Sequence, residues 1–107
     1  MSATPVPDRR AHPRYLCWVE ALCDVGPRPA RLLDLSTGGA RVALLAPLPP
    51  GADLRLTLPG GGGRPSVLTG TVARVVRTRT GWEAGCTLTP PLAPDQLAAL
   101  LQAIEAG

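Results

Sequence analysis

The chain has 107 residues, 45% of them hydrophobic, and a net charge of +3, which fits one globular domain with a single core. All eleven basic residues are arginine, and the small excess of positive charge falls short of the broad basic stripe that a duplex-binding domain needs. Met1 to Arg10 holds no apolar stretch of the secretory type and no apolar run is long enough to span a bilayer, so a cytoplasmic chain without membrane insertion is expected.

Met1 to Arg14 is rich in proline and arginine and shows no periodicity. Pro13 disfavours helix at His12, so this segment reads as an extended arm. Tyr15 to Cys23 alternates, with Tyr15, Cys17, Val19, Ala21 and Cys23 on one apolar face, and predicts a first strand partly covered on both sides. Asp24 to Pro27 is turn chemistry, and Ala30 to Leu35 predicts a second strand. After the turn Ser36 to Gly39, a third strand is expected over Ala40 to Leu45.

Asp53 to Leu58 is the cleanest alternation in the chain, with Leu54, Leu56 and Leu58 on one side. The Gly-rich stretch 59–66 lacks the Lys-Ser/Thr ending and the following helix of a phosphate loop, so it reads as a flexible connection. Val67 to Arg77 and Trp82 to Leu88 predict the fifth and sixth strands. Pro94 is suited to a first helical turn, and Leu97, Leu100, Leu101 and Ile104 follow at helical spacing, so a helix is expected over Pro94 to Glu105.

The expected architecture is all-β: a six-stranded antiparallel β-barrel over 15–107, preceded by the arm 1–14 and closed at one end by the short C-terminal α-helix. Closure removes the sheet edges that a short chain can ill protect. Trp18 and Trp82 each sit among alternating apolar neighbours and are expected to pack in the barrel. Cys17, Cys23 and Cys86 are odd in number and form no Cys-x-x-Cys pair, which predicts free buried thiols and no metal site.

Two segments carry chemistry. Arg9-Arg10-Ala11-His12-Pro13-Arg14 contains an Arg-x-x-x-Arg pair, a spacing that eleven arginines produce by chance about once. Asp34-Leu35-Ser36-Thr37-Gly38-Gly39 is an Asp-x-Ser-x-x-Gly, and only three serines exist in the chain, so a chance occurrence has a probability of roughly 1–2%. The order, one segment ahead of the first strand and the other on a turn between strands, is more selective still. His12 has no nucleophile or metal set beside it, and no catalytic constellation is visible, so the chain is not expected to be an enzyme.

In these residues the sequence resembles the PilZ domain family, which pairs an Arg-x-x-x-Arg segment ahead of a barrel with an Asp/Asn-x-Ser-x-x-Gly segment on it. Leu48-Pro49-Pro50-Gly51 and Gly85-Cys86-Thr87-Leu88 extend the resemblance over nearly the whole chain, although Leu88 stands where an aromatic is common. The resemblance implies a receptor for cyclic di-GMP that uses no cofactor. Arg10 and Arg14 would pair with phosphate or a guanine Hoogsteen edge and stack on the base, Asp34 and Ser36 would hydrogen-bond guanine or position the arm, and Gly39 would permit the tight turn and close ligand approach. An arginine at position 9 would support an intercalated ligand pair, giving two ligands per chain. Arg74, on the fifth strand, would add a stacking side chain.

Signalling would pass through an unidentified downstream protein, with no nucleic acid as partner. The competing class is a PilZ-like interaction module of pilus or motility machinery that does not bind nucleotide. The intact motif residues argue against it.

Overall fold

The structure is a computed structural model that describes residues 5–6, 14–24, 29–58 and 65–106. Among these lie β1 (Pro5–Val6), β2 (Arg14–Cys23), β3 (Pro29–Leu35), β4 (Gly39–Leu44), β5 (Asp53–Leu58), β6 (Ser66–Arg77), β7 (Trp82–Leu88) and α1 (Pro94–Ala106). β5 and β7 have the bounds that the alternation predicts. The other four barrel strands differ by a single residue at one or both ends, within the usual uncertainty of element boundaries.

Strands β2 to β7 form a closed antiparallel barrel in the order β2-β3-β4-β7-β6-β5, and β5 returns to β2. That closing seam is short. It pairs Leu22 with Thr57 and Cys23 with Leu56, and Asp24 extends it, its amide donating to the Arg55 carbonyl at 3.1 Å and its carboxylate accepting the Arg55 amide at 2.6 Å. The alternating face fills the interior: Leu32, Leu35, Val42, Leu56, Leu58 and Val72 are almost wholly shielded from water. With no phenylalanine available, leucine, valine, alanine and cysteine make the core, as the composition requires.

The helix α1 adds Leu97 and Leu100 to the same core. Its start is fixed twice. The Gln96 side-chain oxygen accepts the Ala93 amide at 2.8 Å, half of a capping box, and the Leu92 amide donates to the Thr37 carbonyl at 2.7 Å. The second bond ties the helix lead-in to the turn that carries the Asp-x-Ser-x-x-Gly segment.

Ahead of the barrel β1 adds to β2, with Pro5 opposite Tyr15 and Val6 opposite Arg14. One reading from the alternation is corrected. Trp18 is not barrel packing. It is 68% exposed and has a φ of 55°, because Cys17 and Trp18 together oppose the single Leu33 in a β-bulge. The bulge turns the indole outward, where the Arg31 guanidinium lies 5.0 Å from its ring centre. The outer face of β2 is correspondingly open, with Leu16 and Leu22 also exposed. Trp82 packs against the core, as expected.

Candidate functional site

The site is built by bulges. On β3, Leu32 and Leu35 both face the core although they are three positions apart along the chain, because Leu33 is an extra residue relative to β4. The register shift sets Asp34 on the outer face, directly opposite Arg41 of β4. On β6 the same device recurs between Val72 and Arg74, and it sets Arg74 opposite Gly85 of β7. Arg41 is itself paired with Gly85. One row therefore runs across four strands on the outside of the barrel: Asp34, Arg41, Gly85, Arg74. Bulges commonly re-aim side chains beside functional sites.

Asp34 is outside the barrel yet only 3% exposed, because arginines lie against it. Arg14 Nη1 donates to its Oδ1 at 3.0 Å. Arg41 Nε lies 2.9 Å from its Oδ2, and Arg41 Nη1 lies 3.6 Å from Glu83 Oε1. The Arg41 Nε–H is not aimed along the contact with Asp34 and makes no hydrogen bond, so that contact is one of charge alone. An ion pair thus joins the last residue of the Arg-x-x-x-Arg segment to the first residue of the Asp-x-Ser-x-x-Gly segment.

Ser36 holds the turn. Its Oγ accepts the Gly39 amide at 3.1 Å and lies 3.3 Å from the Gly39 carbonyl, to which it donates, and its own amide donates to the same carbonyl at 2.8 Å. Beside it, Thr37 Oγ1 is buried without a hydrogen-bond partner. Gly39 is required for a reason the sequence does not show. Its backbone is not in the left-handed region; instead a Cβ there would meet the Cys86 carbonyl oxygen of β7 at 2.9 Å. The missing side chain makes room for a strand, and the tightness of the turn comes from Ser36.

Arg74 is exposed and lies over Gly85, where an added methyl would touch its Cγ at 3.5 Å and its Nε at 3.9 Å. Of the residues singled out in the sequence, Arg14, Asp34, Ser36, Gly39 and Arg74 are therefore on or next to one surface. Arg9 and Arg10 fall in 7–13, outside the described residues. Arg41 and Glu83 were missed. Each is an ordinary outward residue of an alternating strand, and only the bulge at Leu33 brings Arg41 to Asp34.

A larger groove, of about 660 Å³, opens elsewhere on the barrel among Trp18, Leu22, Arg31, Leu44 and Leu45. Among the described residues that line it, none belongs to the two motifs and the charged ones are Glu20 and Arg31.

Cys17 lies inside this framework, its thiol 3.3 Å from the Tyr15 carbonyl. Burial, followed by the nearby Asp34 carboxylate, pushes its pKa up to about 12, and burial followed by Cys23 pushes Cys86 up to about 11. At pH 8 the Cys17 thiolate fraction is then roughly a thousandfold below that of a free thiol. Iodoacetamide labelling followed by mass spectrometry should show slow modification of the native chain and fast modification in denaturant. A native Cys17 rate within tenfold of the denatured one contradicts this reading.

These features define a class of protein: a closed barrel that presents, among the described residues, arginines around a buried carboxylate on its outer face. The PilZ domain profile matches residues 8–106, and the chain belongs to the PilZ domain family, whose members are binding and adaptor modules. The fold is also similar to that of the Bacillus subtilis inhibitor of motility (MotI/DgrA), with a TM-score of 0.69 and 20% identity over 92% of this chain. The match spans 51% of that protein's chain, about half its length. No curated protein matches the sequence. Among the described residues no helix is long and apolar enough to cross a membrane.

Proposed function

We propose that the chain is a cyclic di-GMP receptor that grips the dinucleotide between its arginine arm and the turn joining β3 to β4. The observation that carries this reading is the ion pair of Arg14 with buried Asp34, which places the two motif halves side by side. Cyclic di-GMP offers two phosphates and two guanines. The guanidinium forks of Arg10 and Arg14 suit a phosphate or the guanine O6/N7 edge and can also lie flat on the base. Asp34 suits the N–H donors of guanine, which adenine does not match. Ser36 holds the turn, and the neighbouring Thr37 hydroxyl is buried without a hydrogen-bond partner. Gly39 keeps the turn seated on β7, and Arg74 supplies a stacking surface over Gly85.

Arg9 adds a third guanidinium and favours two ligands per chain, stacked through their guanines. The ligand works as an ordering device: the arm wraps it, and the charge-assisted contacts outweigh the entropy lost by the arm. A micromolar affinity corresponds to about 8 kcal/mol, within reach of several such contacts and stacking. Signal output passes to a downstream protein. The inhibition of motility named for the structural neighbour makes a motility component one candidate for that output.

Isothermal titration with cyclic di-GMP tests this, with GTP and cyclic di-AMP as controls. Saturable, guanine-selective binding with two ligands per chain is expected, weakening as salt is raised. Saturation at one ligand removes the role given to Arg9. Absence of heat together with an unchanged melting temperature removes the receptor reading.

A further inference from the structure

The position of Asp34 raises a question that the receptor reading leaves open: both of its carboxylate oxygens already face arginines. Oδ1 accepts from Arg14, and Oδ2 lies 2.9 Å from Arg41. A carboxylate that takes a guanine edge through two N–H groups needs both oxygens. Arg14 has somewhere to go, since the ligand brings phosphates to it. Arg41 needs another partner.

We propose that Arg41 is a movable counter-ion that holds Asp34 until the ligand arrives and then passes to Glu83, so that the Arg41–Glu83 pair sets how readily Asp34 reads guanine. This rests on the cyclic di-GMP reading of the site. Three observations carry it. The Arg41 guanidinium already bridges the two acids, with Nε beside Asp34 and Nη1 3.6 Å from Glu83. Its grip on Asp34 is the weaker of the two at that carboxylate, because the Nε–H makes no hydrogen bond there, whereas Arg14 does. Its cross-strand neighbour on β7 is Gly85, which has no side chain of its own, and what lies over that glycine is the flexible, exposed Arg74 side chain.

Without ligand, Arg41 neutralises a carboxylate that is otherwise costly to keep buried. With ligand, the guanine N–H groups take over that task and Arg41 keeps a partner at the half-exposed Glu83. Glu83 lowers the cost of the exchange although it touches no ligand atom. It is a positioning residue, and its effect is expressed only through Arg41.

A double-mutant cycle tests this by titrating cyclic di-GMP into the full chain and its variants. Glu83→Gln should bind about fivefold more weakly, the size of a partly exposed ion pair. Arg41→Gln should bind about threefold more tightly, since the competitor for Asp34 is gone, a fraction of the strength of one ion pair. In the double variant the loss caused by Glu83→Gln should vanish and affinity should match that of Arg41→Gln. Melting temperatures of all variants, measured alongside, keep changes in folding separate from changes in binding. Unchanged or tighter binding by Glu83→Gln overturns the proposal, as does a double variant as weak as Glu83→Gln, or loss of binding in Arg41→Gln. Those results leave the receptor reading standing. A wild-type chain that does not bind overturns both.

Discussion

Arg14→Ala is expected to weaken cyclic di-GMP binding by roughly a hundredfold or more while the barrel stays folded. Each charge-assisted hydrogen bond contributes about 1.5–3 kcal/mol, and Arg14 is proposed to make at least two contacts, to phosphate and to base. The substitution also strips Asp34 of its hydrogen-bonded arginine. Arg41 remains beside the carboxylate, so the loss of stability should be held to about 1–2 kcal/mol, a fall of several degrees in melting temperature. Arg14→Lys separates the two effects. Lysine keeps the charge that Asp34 needs and loses the planar fork, so stability should recover more than affinity. Binding by Arg14→Ala within threefold of wild type, read by isothermal titration, removes Arg14 from the ligand site.

Gly39→Val should cost the fold itself about 3 kcal/mol or more, seen as a fall of roughly 15 °C in melting temperature. Its Cβ would lie 2.9 Å from the Cys86 carbonyl oxygen. That oxygen is backbone, inside a ladder that pairs Gly39 with Thr87 and Ala40 with Cys86, so it cannot swing aside as a side chain would. Separating β4 from β7 there also disturbs the Leu88 amide, which donates to the Gly38 carbonyl at 3.0 Å. Gly85→Ala is the control. Its methyl meets only the flexible Arg74 stem, at 3.5 Å, and should change stability by under about 1 kcal/mol. Equal melting temperatures for Gly39→Val and wild type, by calorimetry or circular dichroism, contradict the close-approach argument.

The strands were legible because leucine and valine recur at every second position and polar or proline-rich turns interrupt them. Asp53–Leu58 and Trp82–Leu88 could be bounded from that pattern alone. The helix was legible from Pro94 and the stripe Leu97, Leu100, Leu101 and Ile104. The two motifs were legible because serine is scarce and their order is restrictive. What alternation hides is a bulge, since one extra residue leaves both flanking strands looking regular. Trp18 was misread for that reason: its neighbours alternate, yet the bulge opposite Leu33 turns it out to solvent. Arg41 was missed for the same reason, and Glu83 because its approach to Arg41 depends on the pairing of β4 with β7, far apart in the chain.

By itself, then, the sequence determined a barrel of short strands with a helical end, the family to which it belongs, and the residue types of an arginine-and-carboxylate site. These follow from local periodicity, turn chemistry and motif order, all of which act along the chain. Tertiary structure alone decided three further things. It closed the barrel through the short seam at Leu22 and Cys23, it made Gly39 indispensable through the carbonyl of a distant strand, and it shifted the register so that Asp34 meets Arg41 and Arg74 meets Gly85. The physical reason is the same in each case: side-chain direction in a sheet depends on hydrogen-bond register with a partner strand, and that partner lies elsewhere in the sequence.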